Sequence, residues 1–303
     1  MTNMAKHTAL LLLVLLAQAS SFGQSCCNAG GLSSCGSTGL LTSLRNNSVG
    51  LRLMSVPFET SVTNEDNYQD HFFVAELSAR YQFGHRIRVA LQQPYRWNWR
   101  QQPGADEKLH GFADTKIIGN YTVLDNKQVL RNSLVYWELG AGLKLPTGKY
   151  DPGIYSRDLP GNLNLGMGNL GYLLQSTLVL FHKKFGLAQT TSVQLNGKSR
   201  DDYQFGNQVA TSLILFREIG LSEKTKLTPL AGVTSEWFDK NHTAQGNVAF
   251  GSGGEGWLAM VGINARFGQF QASISASQPF YQHYSKGAIV AKQRAALELT
   301  RFF

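Results

Sequence analysis

The chain has no apolar run near the roughly 18 residues that a membrane-crossing helix needs, so it is not a helical membrane protein. Its longest such run, Ala9 to Ala17, is half that length. Charge is sparse, at 16% of 303 residues. Cysteine is missing from the body of the chain, because Cys26, Cys27 and Cys35 all lie close to the N-terminus. Metal-ligand clusters of standard spacing and phosphate-binding loops are missing too, and no convincing pair of nucleophile and base stands out. Lys and Arg outnumber Asp and Glu by 28 to 20, and the isoelectric point is about 9.4. These cations are scattered singly rather than gathered in a patch, which excludes a nucleic-acid partner.

What is present is glycine (31), phenylalanine (17) and tyrosine (11) in a slightly hydrophilic average. That balance suits a membrane β-barrel, where only alternate residues of each strand face lipid. Lys6 and His7 precede the short apolar run, and small residues follow around Ala19 to Gly23. This is an export signal, assigned to residues 1–23 and set apart from fold reasoning. Residues 24–44 form a Cys/Gly/Ser-rich periplasmic leader or plug, and residues 45–303 the barrel.

From residue 48 onward, apolar and polar residues alternate with the two-residue period of a strand between unlike solvents. Phe73, Ala75, Leu77, Ala79 and Tyr81 oppose Glu76, Ser78, Arg80 and Gln82. Phe270, Ala272, Ile274 and Ala276 oppose Gln271, Ser273, Ser275 and Ser277. The pattern predicts about twelve strands, at 48–57, 71–82, 86–99, 112–124, 133–146, 169–183, 185–196, 207–219, 225–236, 256–267, 269–280 and 291–302. Short links at 83–85, 125–132, 183–184, 220–224 and 267–269 alternate with longer ones at 58–70, 98–111, 147–168, 197–206, 237–255 and 281–290. Short periplasmic turns and longer extracellular loops are the pattern of an all-β, transmembrane antiparallel barrel in the outer membrane of a Gram-negative bacterium.

Aromatic residues collect near strand ends: Phe72, Phe73, Tyr81, Phe83, Tyr95, Trp97, Trp99, Trp237, Phe238, Trp257, Phe267, Phe270, Phe280 and Tyr281. They predict two girdles at headgroup level, with outer-membrane lipid and lipopolysaccharide as surroundings. The terminal Phe303 on an alternating strand resembles the signal read by the barrel-assembly machinery, a partner during insertion. Arg301 has lipid-side parity and is placed to snorkel to the headgroups. The same parity assigns to the lumen Arg52, Arg80, Arg88, Arg96, Lys116, Lys144, Lys226, Lys292 and Arg294, against Glu76, Asp114, Glu138, Glu236 and Glu298. One reading is a salt-bridged lumen that braces the barrel. The other is a net-positive pore that favours anions.

Export makes a disulfide possible among Cys26, Cys27 and Cys35, and an odd count leaves a thiol over. The same thiolates are also candidates for a soft metal such as Cu(I) or Zn. Lipid attachment at Cys26 is disfavoured, because Gly23-Gln24-Ser25 lacks an apolar residue before it.

Three stretches carry a family resemblance: Gly111-Phe112-Ala113-Asp114-Thr115-Lys116, Gly142-Leu143-Lys144-Leu145-Pro146-Thr147-Gly148-Lys149-Tyr150-Asp151, and Pro160-Gly161-Asn162 through Gly168-Asn169. Over roughly residues 70–280 the chain resembles the outer-membrane transporter family named for the meta-pathway of phenol degradation. The resemblance implies a barrel and passage of a small molecule, without implying phenol. Pro146 suits a strand end, while Gly148 and Gly161 permit turns.

His283-Tyr284-Ser285-Lys286-Gly287 is similar to the His-x-Ser-Asn-Gly element of outer-membrane phospholipase A. Lys286 stands where that element has Asn, and residues 286–303 contain no Asn or Asp to orient the histidine. The sequence therefore points away from an enzyme and toward a channel or transporter for small solutes that needs no cofactor. A non-conducting barrel with a metal-binding or scaffold leader is the alternative, and an outer-membrane hydrolase the remote one.

Overall fold

The computed structural model describes residues 47–62, 65–101, 106–157, 161–249 and 251–303. The expected signal and leader, with the three cysteines, lie outside the described residues. The strands are β1 (Ser48–Val62), β2 (Glu65–Phe83), β3 (Ile87–Gln101), β4 (Glu107–Phe112), β5 (Thr115–Leu130), β6 (Ser133–Leu145), β7 (Gly171–His182) and β8 (Phe185–Asn196). There follow β9 (Gln208–Arg217), β10 (Ile219–Gly220), β11 (Thr225–Phe238), β12 (Gly254–Phe267), β13 (Phe270–Tyr284), β14 (Ile289–Ala291) and β15 (Arg294–Phe302). Three staves are interrupted, as β4/β5, β9/β10 and β14/β15, so the sheet has the twelve staves that the alternation predicts.

Each stave is antiparallel to its neighbours, and β1 closes the ring by pairing with both β2 and β15, from Ser48 opposite Phe302 to Ser55 opposite Ala295. Closure is required in lipid, where an open edge leaves backbone groups without water or partner. β3 alternates between exposed or half-exposed and buried residues along nearly its whole length. Leu77, Leu91, Leu139, Leu174, Leu213, Val261, Ile274 and Leu297 point outward and are exposed. So many large apolar side chains on one surface would each cost about 1.5–3 kcal/mol in water, and they mark a belt made for lipid.

Tight turns at Gly84 (φ 62°) and Gly268 (φ 58°) fit the left-handed conformation that glycine adopts freely. The opposite end differs from the expected loops. The segments at 58–70 and 98–111 are largely ladder, with β1 pairing β2 up to Val62 and Glu65, and β3 pairing β4 up to Arg100 and Glu107. Polar residues hide strands in this part of the sequence, but backbone N–H and C=O groups above the membrane still pair with each other. The segment at 125–130 is likewise strand.

At Ala113-Asp114 the fourth stave slips by one residue, so Leu109 of β4 and Lys116 of β5 both face inward. Opposite the slip stands Pro94, which has no N–H to offer a ladder. Local bonds repair the gap: Ala113 N donates to the Pro94 carbonyl at 2.9 Å, and Gln93 Nε2 to the Ala113 carbonyl at 3.0 Å.

The girdles form as expected with two corrections. Tyr81 and Phe83 pack at 4.7 Å near the turn end, while Tyr95 contacts Trp97 at 4.5 Å near the loop end. Arg301 lies over the Phe270 ring on the outer face at 5.7 Å. Phe72 and Phe238, however, share the parity of Glu76 and Glu236 and are buried inside the barrel.

Candidate functional site

Among the described residues, buried charge concentrates in the interior. Near the short turns, Arg88 and Glu138 pair across β3 and β6, and Tyr136 donates its hydroxyl to the same carboxylate oxygen at 2.8 Å. Arg80 lies in electrostatic reach of Arg88, Glu138 and Glu298. Arg52, Glu76, Lys116 and Glu298 are buried on the same inner wall. On the facing staves Tyr136, Val179, Ala188, Ile214, Phe216, Leu230 and Met260 form one apolar cluster with Phe181 against it, among inward polar residues such as Thr177, Ser192, Thr228 and Asn264. The Phe216 ring sits directly over Gly186, in the space where a Cβ would be.

Nearer the loops the inner wall changes character. Met54, Val56, Phe58, Phe72, Val74, Phe238 and Tyr284 make an apolar collar. The segment after β6 folds into it, bringing Ile154 and Leu163, both essentially fully buried. Asp114 anchors this inturned segment at both ends. Its Oδ2 accepts from Lys144 Nζ at 3.2 Å and from Met167 N at 2.9 Å, and its Oδ1 accepts from Gly148 N at 3.1 Å. Lys144 also donates to Asn169 Oδ1 at 2.5 Å. Arg96 and Asn98 reach down from β3 to the carbonyls of Asn164 (3.2 Å) and Leu163 (2.8 Å).

Gly148 turns out to serve close packing rather than a turn. A Cβ there would lie 2.8 Å from Gly166 Cα and 2.9 Å from Asp114 N. Further out, Tyr150 donates to Asp201 Oδ1 at 2.8 Å and so ties the segment to the loop after β8. Burial pushes the Tyr150 hydroxyl above its ordinary pKa; a hydrogen bond with Ser199 opposes this, and the Asp201 carboxylate adds to it.

Of the charged residues that parity assigned to the lumen, Arg52, Glu76, Arg88, Arg96, Asp114, Lys116, Glu138, Lys144 and Glu298 are buried on the inner face. Arg80, Glu236 and Arg294 are half-buried there, and Arg294 Nη1 meets Glu236 Oε1 at 2.5 Å. Lys226 and Lys292 are exposed near the two ends of the barrel, paired with Glu218 (3.7 Å) and with Glu59. Sequence reasoning missed the buried pair of Arg100 with Asp70, both oxygens of which are held at 2.6 Å. It also missed the collar. Its signal is that Met54, Val56 and Phe58 continue the parity of Arg52 with apolar residues.

The hydrolase element does not assemble. Ser285 Oγ donates to the Gly251 carbonyl at 2.9 Å, while His283 sits exposed on the strand before it. Among the described residues no group of three or more His, Cys, Asp and Glu is disposed to hold a metal.

No family model matches the sequence, and no curated protein matches it. Solved structures do. An outer-membrane channel from Pseudomonas putida F1 superposes with a TM-score of 0.63 at 15% identity, over 85% of this chain and 96% of that one. The fold is that of an outer-membrane β-barrel. The β domain of the Bordetella autotransporter BrkA superposes at 0.50 and 12% identity, over 85% of this chain and 100% of that domain. With its apolar outer belt and closed ring, the barrel belongs in the lipid of a Gram-negative outer membrane.

Proposed function

We propose that this barrel conducts small solutes across the outer membrane and that its polar, net-positive inner wall favours anions. The observation that carries the reading is a set of buried polar atoms without a protein partner: Glu76 Oε2, Arg88 Nε, Gln92 Oε1, Arg96 Nε, Asn98 Oδ1 and Gln194 Oε1. In a dry interior each such atom costs about 1–3 kcal/mol, more when charged. Water or a passing solute must serve them, which supports a hydrated path rather than a solid core. The anion preference rests on Arg52, Arg80, Arg88, Arg96, Lys116 and Lys144 outnumbering the acids beside them. The inturned segment then acts as the constriction, and its neighbouring loops as the extracellular filter.

The test is conductance of the refolded barrel in a planar bilayer under a salt gradient. Steady conductance with a reversal potential of anionic sign is expected. Cation preference would overturn the selectivity, and silence from protein shown to be folded would overturn conduction itself.

A further inference from the structure

The turn-end half of the lumen brings two unlike surfaces into contact. Arg80, Arg88 and Glu298 lie within a few residues of the short turns or of the C-terminus, and Arg52 stands opposite Glu298. Phe181 and Phe216 sit at the same end of β7 and β9, their rings 5.5 Å apart and edge to face. Tyr136 joins the two sets. Its ring belongs to the apolar cluster, and its hydroxyl is bonded to Glu138, the partner of Arg88.

Within the charged set the acids are engaged more fully than the cations. Glu138 is held by Arg88 and Tyr136, and Glu298 accepts from Thr300 at 3.2 Å. Arg80 forms no hydrogen bond or ion pair among the described residues, although it lies in electrostatic reach of Arg88, Glu138 and Glu298. Arg88, only 4% exposed, has its Nε unpartnered. A guanidinium offers a planar fork matched to a carboxylate, and a carboxylate so held keeps its hydrocarbon body against whatever lies beside the fork.

We infer that this junction is a binding site for organic monoanions with an apolar body, the carboxylate on Arg80 and the body on Phe181, the half-buried edge of the apolar cluster behind it. The inference rests on the channel reading and names the solute class that such a channel would select. It excludes two neighbouring classes by chemistry. A bare anion such as acetate gains nothing from the apolar wall, and an apolar cation meets two arginines.

The experiment uses the refolded full barrel, with the folded state of every variant checked by its heat-dependent gel mobility. Equilibrium dialysis with benzoate, acetate and benzylammonium measures binding, and the same three solutes are then added to a conducting bilayer. Benzoate is expected to bind and to reduce the ionic current, with the other two at least tenfold weaker. Arg80→Gln should weaken benzoate by about tenfold or more, the loss of a charged hydrogen-bonding partner, while Arg80→Lys keeps part of the binding. Equal binding of acetate or benzylammonium would overturn the inference, as would benzoate binding unchanged in Arg80→Gln. Dialysis separates the two readings. Selective binding without current removes the channel and keeps the site, whereas current without selective binding removes the site and keeps the channel.

Discussion

Replacing Asp114 with alanine should release the inturned segment from the lumen while leaving the barrel wall intact. The carboxylate satisfies two backbone N–H groups, of Gly148 and Met167, and is the counter-charge for buried Lys144. Removing one partner of a buried ion pair costs about 3–5 kcal/mol, because the other charge is left uncompensated. Against this stand the segment's apolar anchors, Ile154 and Leu163, each contributing about 1.5–3 kcal/mol when buried. The two quantities are of similar size, and the bonds from Arg96, Asn98 and Tyr150 still favour docking, so release becomes frequent without becoming the majority state. Hydrogen exchange read over residues 147–157 and 161–168 should rise steeply, with exchange in β5 and β6 unchanged. Asp114→Asn, which keeps an acceptor for Gly148 but loses the charge, should have an intermediate effect, and adding Lys144→Met should restore much of the protection. Unchanged exchange in the folded Asp114→Ala barrel would refute the anchoring role.

Two other perturbations test different parts of the reasoning. Leu213→Arg, on the lipid side of mid-β9, should cost about 2–4 kcal/mol of barrel stability in a folding titration into lipid. Thr234→Arg, on the lumen side of the paired strand β11 and half-exposed, should cost much less; equal losses would mean the parity is wrong. The Tyr150–Asp201 tie should respond to alkali. A group whose folded pKa is raised gives its full stabilisation below the unfolded value, about 10 for tyrosine, and loses it as pH rises through the folded value. Protection of the loop after β8, taken relative to the base-catalysed intrinsic rate of exchange, should therefore fall only in strongly alkaline buffer, and Tyr150→Phe, lacking the titrating hydroxyl, should abolish that fall.

The wall of this protein was legible in its sequence because lipid and water impose a strict two-residue rule on every stave. Twelve strands and the inward parity of residues such as Arg88, Glu138 and Lys144 follow from that rule alone. It fails where both faces meet the same medium. Beyond the hydrocarbon the β1–β2 hairpin continues through Glu59 to Asp70 with no alternation to reveal it. The rule is equally blind inside the collar, where Val56 and Phe72 are apolar on the face expected to be wet. The inturned segment escapes local reading altogether. Its position depends on Asp114, Arg96 and Asn98, residues far away in the chain, and the Leu-Pro-Thr-Gly stretch marks that a loop begins without saying which way it bends.

The seam between β1 and β15 makes this a molecule that is finished last at the place where it starts. Ser48, which opens β1, and Phe302, which ends β15, stand opposite each other. Until β15 is in place, the inner half of every earlier stave belongs to an open sheet whose two edges have nothing to bond in lipid. No shorter version of the wall is a smaller stable pore. Insertion is therefore an event that waits for β15, and a break within β15 acts on the whole circumference at once.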